Sequence, residues 1–252
     1  LITSRRIRLA MLSTWLLVAL PSFPEPPHNF QQAKRDAAVI FDAHRQTLYC
    51  GCAYNKQRQI DLAGCHMETA QHKKRAAHME WEHMMPAENF GRQFKCWRET
   101  LCRNKGKPYK GRKCCEKIDN NFKQAEAELY NLWPAEGLVN QARSNYRYAE
   151  LAGKADFFGC SFKVDRRLRQ VEPDDRIKGL VARANLFMSD QYNIKLSPAQ
   201  KQLFEVWSQR FPPDAWEKQW ASQVADIEGY ENRYIKKPTR LSPTLKPLPM
   251  LY

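Results

Sequence analysis

Apolar residues recur at helical spacing over residues 30–45, where Ala33, Ala37, Ile40 and Phe41 share one face, and the spacing predicts an amphipathic helix. The pattern then shortens. Residues 48–54 and 58–62 read as two brief strands joined by a turn at Tyr54-Asn55-Lys56-Gln57, and a further strand near 78–83 ends at His83. Segment 98–115 is polar, basic and punctuated by Gly and Pro, so it reads as a loop. Helical patterns return over 120–131 and 175–190. Ser197-Pro198 supplies an N-cap and a first-turn proline for a helix reaching about Gln209, and Asp214 caps the next. From Lys236 onward, four prolines and basic residues without periodicity predict a loose tail over 236–252. These elements predict a mainly helical α+β protein with a short β-hairpin.

The amino terminus changes the picture. Arg5, Arg6 and Arg8 precede an apolar run over residues 9–20, too short to span a bilayer, and residues 1–22 read as a secretory signal cut near Ser22. With no repeat and no Gly/Ser linker, residues 23–235 are expected to form one domain, and 43% hydrophobic residues with seven Trp suffice for its core. Eight cysteines, an even number behind an export signal, argue for disulfides. A zinc cluster is the alternative, but C-x-C and CC spacings do not make a standard finger. The formal charge of +14 suits phosphate backbones, although a merely solvated basic surface would carry it too. After the leader, neither a long apolar span nor a strongly amphipathic basic helix points to a membrane.

Candidate chemistry concentrates in Glu80-Trp81-Glu82-His83. A carboxylate holds a hard cation through oxygen, and a neutral imidazole can take a proton from water near pH 7. Asn131, at the end of Glu-Leu-Tyr-Asn, offers an amide oxygen of the same hard character. A Glu-His pair alone is more often structural than catalytic. A zinc protease is the sharper rival, since His78 and His83 bracket both acids. Their i,i+5 spacing, however, sets them about 140° apart on a helix, and Pro86 argues against a helix running on.

Further matches run along the chain in order: Tyr49-Cys50-Gly51-Cys52, Glu80-Trp81-Glu82-His83, Phe90-Gly91, Cys96-Trp97, Gly111-Arg112-Lys113, Asn131-Leu132, Val139-Asn140 with Arg143 and Asn145, Gly159-Cys160 and Asp190-Gln191-Tyr192-Asn193. Over roughly residues 30–235 the chain resembles the endonuclease I family of periplasmic or secreted bacterial nucleases. The resemblance implies a disulfide-stapled ββα-metal core and a monomer that cleaves DNA, and RNA as well, through backbone contacts with little sequence preference. It implies Mg²⁺ on Glu82 and Asn131, His83 as general base, Arg112 stabilising the cleaved phosphate, and Arg143 as a phosphate contact, with a structural salt bridge the equal alternative for Arg143. The chain departs from the pattern in about ten extra residues over 100–109, which make Arg98 and Arg103 competitors of Arg112, and in Tyr130, where the family commonly has His. Disulfide connectivity stays open: Cys52–Cys65 flanks the apparent hairpin, while trial links Cys50–Cys160 and Cys96–Cys115 would leave Cys102 and Cys114 for each other. A secreted basic nucleic-acid-binding protein without catalysis is the competing reading; it leaves Glu82-His83 and Asn131 unexplained.

Overall fold

Asn29 starts the first helix by accepting the Gln32 backbone N–H on its side chain, and helix α1 (Phe30–Ile40) buries Ala33, Ala37 and Ile40. A computed structural model describes residues 25–236; the expected leader over 1–22, and the tail beyond Lys236, lie outside the described residues. After α1 the chain loops to strand β1 (Met79–His83), then runs through short helices α2 (Ala87–Gly91) and α3 (Lys95–Arg98). A hairpin, β2 (Cys102–Asn104) and β3 (Lys107–Tyr109), follows, then helices α4 (Arg112–Ile118) and α5 (Asn120–Ala127). A 3₁₀ turn over Leu129–Asn131 delivers strand β4 (Leu132–Glu136), antiparallel to β1 with Glu82 opposite Trp133 and His83 opposite Leu132. Helix α6 (Gly137–Arg143) leaves β4 directly. Residues distant in sequence thereby form a strand-strand-helix unit around the Glu-His pair.

The rest is scaffold. Strands β5 (Arg147–Tyr148), β6 (Lys163–Asp165) and β7 (Gln170–Glu172) form a small sheet in the order β5-β7-β6. Helix α7 (Asp175–Gln191) is buried on nearly every side over residues 178–188, so it runs through the core, flanked by α8 (Pro198–Arg210) and α9 (Ala215–Glu228), with α10 (Arg233–Lys236) last. Phe41, Trp133 and Trp220 meet edge-on with centroids 4.8 Å apart and tie α9 to the β1–β4 pair. A buried Arg183–Glu217 pair, its guanidinium also donating to the Ser208 and Phe211 carbonyls, joins α7, α8 and α9. A smaller apolar cluster holds Phe90, Phe122 and Met188 with two disulfides.

Ser197 and Asp214 cap α8 and α9 as the sequence predicts. Cysteines pair as 50–160, 52–65, 96–115 and 102–114, the trial connectivity, and among the described residues none is free. Three expectations fail. Residues 48–54 and 58–62 form isolated bridges (Gln46 with Ala53, Tyr54 with Ile60, Gln59 with His78) rather than strands, because Gly51 turns the chain at φ +68° between two disulfide-tethered cysteines. Segment 98–115 is not a loop throughout: Lys105 and Gly106 both take positive φ, the requirement of a tight two-residue hairpin turn, and α4 begins at Arg112. Helix α5 stops at Ala127, because Glu128 leaves the helical region and its carboxylate caps the Tyr130 N–H instead.

Candidate active site

Strand alternation sends Glu80 and Glu82 to one face of β1, and Trp81 and His83 to the other. On the second face the His83 ring lies 4.8 Å from Phe30 of α1, with Phe90 at its edge. Its Nε2 sits 2.8 Å from the Glu126 carbonyl oxygen. A carbonyl only accepts, so Nε2 carries the proton and Nδ1 keeps a lone pair. Burial, reinforced by the nearby Arg112 charge, pushes the imidazole pKa down to about 3, so the ring is neutral at physiological pH.

Glu126 has a second role. Its carboxylate accepts from Arg112 Nε at 2.5 Å, and Arg112 also reaches Glu116 at 3.3 Å and stands over the Phe30 ring. Burial pushes Glu126 up to about 7, against the pull of Arg112. One residue thus holds His83 through its backbone and Arg112 through its side chain. Lys34, one turn along α1, covers Phe30 as well. The sequence reading passed over Glu126; the available signal was Ala-Glu-Ala-Glu (125–128), which puts acids among positions an amphipathic helix must bury.

Toward α6 the chemistry differs. Glu82 is buried, its Oε1 accepting from the Tyr49 hydroxyl at 2.7 Å and lying 3.2 Å from Arg143 Nε. Arg143 is fully buried: Nη2 donates to the Met84 carbonyl at 2.6 Å, Nη1 to the Ser144 carbonyl at 2.9 Å, and the guanidinium lies over Tyr148. Of the two roles expected for Arg143, the salt bridge is the one this enclosure shows. Asn131 is buried too, with Oδ1 accepting from Met85 N–H at 2.6 Å and Nδ2 donating to Met85 O at 3.0 Å. It clamps the turn after β1. Another amide, Asn140 on α6, is half-buried and donates through Nδ2 to Glu80 Oε2 at 3.2 Å.

A family model described as Endonuclease I matches residues 29–239. The chain belongs to the endonuclease I family. An extracellular deoxyribonuclease of Aeromonas hydrophila is 38% identical over 231 residues, covering 90% of this chain and 97% of its own length. A periplasmic deoxyribonuclease of Aeromonas hydrophila is 35% identical over 241 residues, 93% and 97% of the two chains. An Endonuclease-1 of Buchnera aphidicola is 36% identical over 213 residues, 83% and 81%.

This endonuclease I chain is therefore an enzyme, and the reading as a binding protein without catalysis falls away. It is an exported protein of the periplasm or extracellular space, in keeping with its four disulfides. No helix among the described residues is long and apolar enough to cross a membrane. Cys50, Cys52 and Glu136 have ligand atoms within 4.8 Å of one another, but both sulfurs are in disulfides and cannot act as thiolate ligands. The oxygen donors beside β1 fit a hard cation better. Asn131 already spends both ends of its amide on Met85, whereas Asn140 donates through Nδ2 to Glu80.

Proposed function

We propose that this nuclease hydrolyses phosphodiester bonds of DNA, and of RNA too, with His83 as the general base and one divalent cation, Mg²⁺, as cofactor. The observation that carries the reading is the His83–Glu126 hydrogen bond, which fixes the tautomer with a lone pair on Nδ1. The relatives named deoxyribonucleases supply DNA, and recognition through phosphate and sugar extends the reading to RNA. Nδ1 of His83 takes the proton of the attacking water. Arg112, held by Glu126 within reach of the same ring, offers guanidinium N–H groups to the phosphate oxygens as charge develops. A bound divalent ion supplies Lewis-acid polarisation of the phosphate. Tyr49 and Arg143 both engage Glu82 Oε1, so Glu82 would hold the cation through Oε2, with the amide oxygen of Asn140 or of Asn131 as a further ligand.

The test is cleavage of plasmid DNA and of RNA by oxidised protein, with Mg²⁺ or with EDTA. His83→Ala is expected to lose roughly 10²–10⁴-fold in turnover while DNA binding, measured without metal, persists. Near-normal turnover in folded His83→Ala protein would remove His83 from the mechanism, and undiminished cleavage in EDTA would remove the cation.

A further inference from the structure

Two residues before His83 on the same face of β1, about 7 Å along the strand, Trp81 forms the floor of a groove of about 280 Å³. Tyr54 adds aromatic wall, with Phe41 buried behind it, and Arg45, Lys56 and Arg58 stand around the groove. Asp42 pairs with Arg45, so Lys56 and Arg58 carry the groove's surplus charge. Arg58 is held in the left-handed region (φ +62°), its N–H donating to the Asn55 carbonyl and its carbonyl accepting from Met79 of β1. That backbone is costly for a non-glycine residue, and it carries the guanidinium over the Trp81 ring at 6.0 Å. Along α1, burial lowers the pKa of Lys34, and the charges of Arg58 and Arg112 lower it further, so positive charge runs from the groove toward His83.

We propose that this groove is a subsite for one unpaired nucleotide of the substrate strand, next to the phosphate that is cut. Its base lies against Trp81 and Tyr54, and its phosphate rests on Lys56 and Arg58. Aromatic faces combined with cations are the general means of holding single strands without sequence choice, because every base has a π-face. A base-paired nucleotide keeps that face covered by its neighbours, so the groove favours single-stranded or locally opened DNA over closed duplex. The proposal rests on the nuclease reading with His83 at the cut.

The experiment compares KM and kcat for a single-stranded oligothymidylate and a closed duplex hairpin. In Lys56→Ala/Arg58→Gly, where glycine accepts the left-handed backbone, and separately in Tyr54→Leu, KM for the single strand is expected to rise about tenfold. Its kcat should hold, and KM for the duplex should move by less than about threefold. Lys218→Ala, an exposed charge on α9 outside the groove, controls for lost charge. In EDTA, oligothymidylate should quench tryptophan fluorescence, and Trp81→Phe should remove much of that quench. Single-strand and duplex KM rising together, both staying unchanged, or a quench unaffected by Trp81→Phe would overturn the subsite. Wild-type protein that cuts neither DNA would sink the nuclease reading instead, while the quench in EDTA still decides the groove.

Discussion

On the α6 face of β1, Glu80 meets Arg75, Glu82 meets Arg143 and the Tyr49 hydroxyl, and the second pair is almost wholly enclosed. On the α1 face, His83 is held by a backbone carbonyl, while Arg112 and Lys34 remain partly exposed around Phe30. Both faces carry charge beside aromatic rings. The difference lies in what satisfies it. Arg143 is enclosed by the Glu82 carboxylate, the Met84 and Ser144 carbonyls and the Tyr148 ring, so its removal should read mainly as lost stability. The cations near His83 remain partly exposed, so on the proposed mechanism their removal should read mainly as lost activity.

The largest expected effect separates the faces directly. Arg143→Ala should lower stability by about 3–5 kcal/mol, because it strands the buried Glu82 carboxylate. Arg112→Ala should barely move the melting temperature, since Glu126, already pushed up to about 7, can take a proton once the guanidinium is gone. Its turnover should fall by roughly 10²–10³-fold. Thermal melts beside initial rates check both. A stable, inactive Arg143→Ala protein would reverse the roles of the two arginines.

Next in size is a contrast of two amides. Asn131→Ala leaves the Met85 N–H and C=O without their partner and should cost about 2–4 kcal/mol, with Mg²⁺ affinity held in whatever protein folds. Asn140→Ala should be nearly neutral in stability and should weaken Mg²⁺ binding and activity together. Calorimetric titration with Mg²⁺ decides it. Weakened affinity only in the Asn131 variant would restore the assignment drawn from the sequence.

That pair shows where the sequence stops being readable. Helices α8 and α9 were legible because their caps, Ser197 and Asp214, are local and chemically specific. Strand β4 was not: Pro134 sits in its middle, tolerable only because β4 pairs with a single strand, and its partner lies some fifty residues earlier. With β4 unseen, nothing indicated that α6 packs behind Glu82, so Asn131 stood out and Asn140 did not. Residue types singled out His83 and Arg112 as candidates. Glu126 escaped because a backbone carbonyl, which every residue has, does half of its work.

The smallest effect concerns a pair of acids remote from both faces of β1. Glu128 caps the turn ahead of β4, and its Oε2 lies 2.8 Å from the Tyr192 hydroxyl and 2.7 Å from that of Tyr230. The Tyr230 hydroxyl also lies 3.0 Å from Glu228 Oε2 on α9. One phenolic proton serves only one carboxylate, so the second contact calls for a protonated carboxyl. Burial foremost, then the Glu128 charge, pushes Glu228 up to about 8. A carboxyl whose folded pKa exceeds its unfolded value contributes stability that is complete below the ordinary carboxylate range and is lost as pH rises through the folded value. Stability should therefore decline as the pH climbs through about 8, and Glu228→Gln, neutral throughout, should flatten that decline. Denaturant melts from pH 6 to 9 test this, and an equally steep alkaline loss in the glutamine variant would place the titrating group elsewhere. Cleavage of DNA measured above pH 8, where Glu126 is already ionised, should follow the folded fraction in both proteins, because His83 is neutral there and contributes no slope of its own.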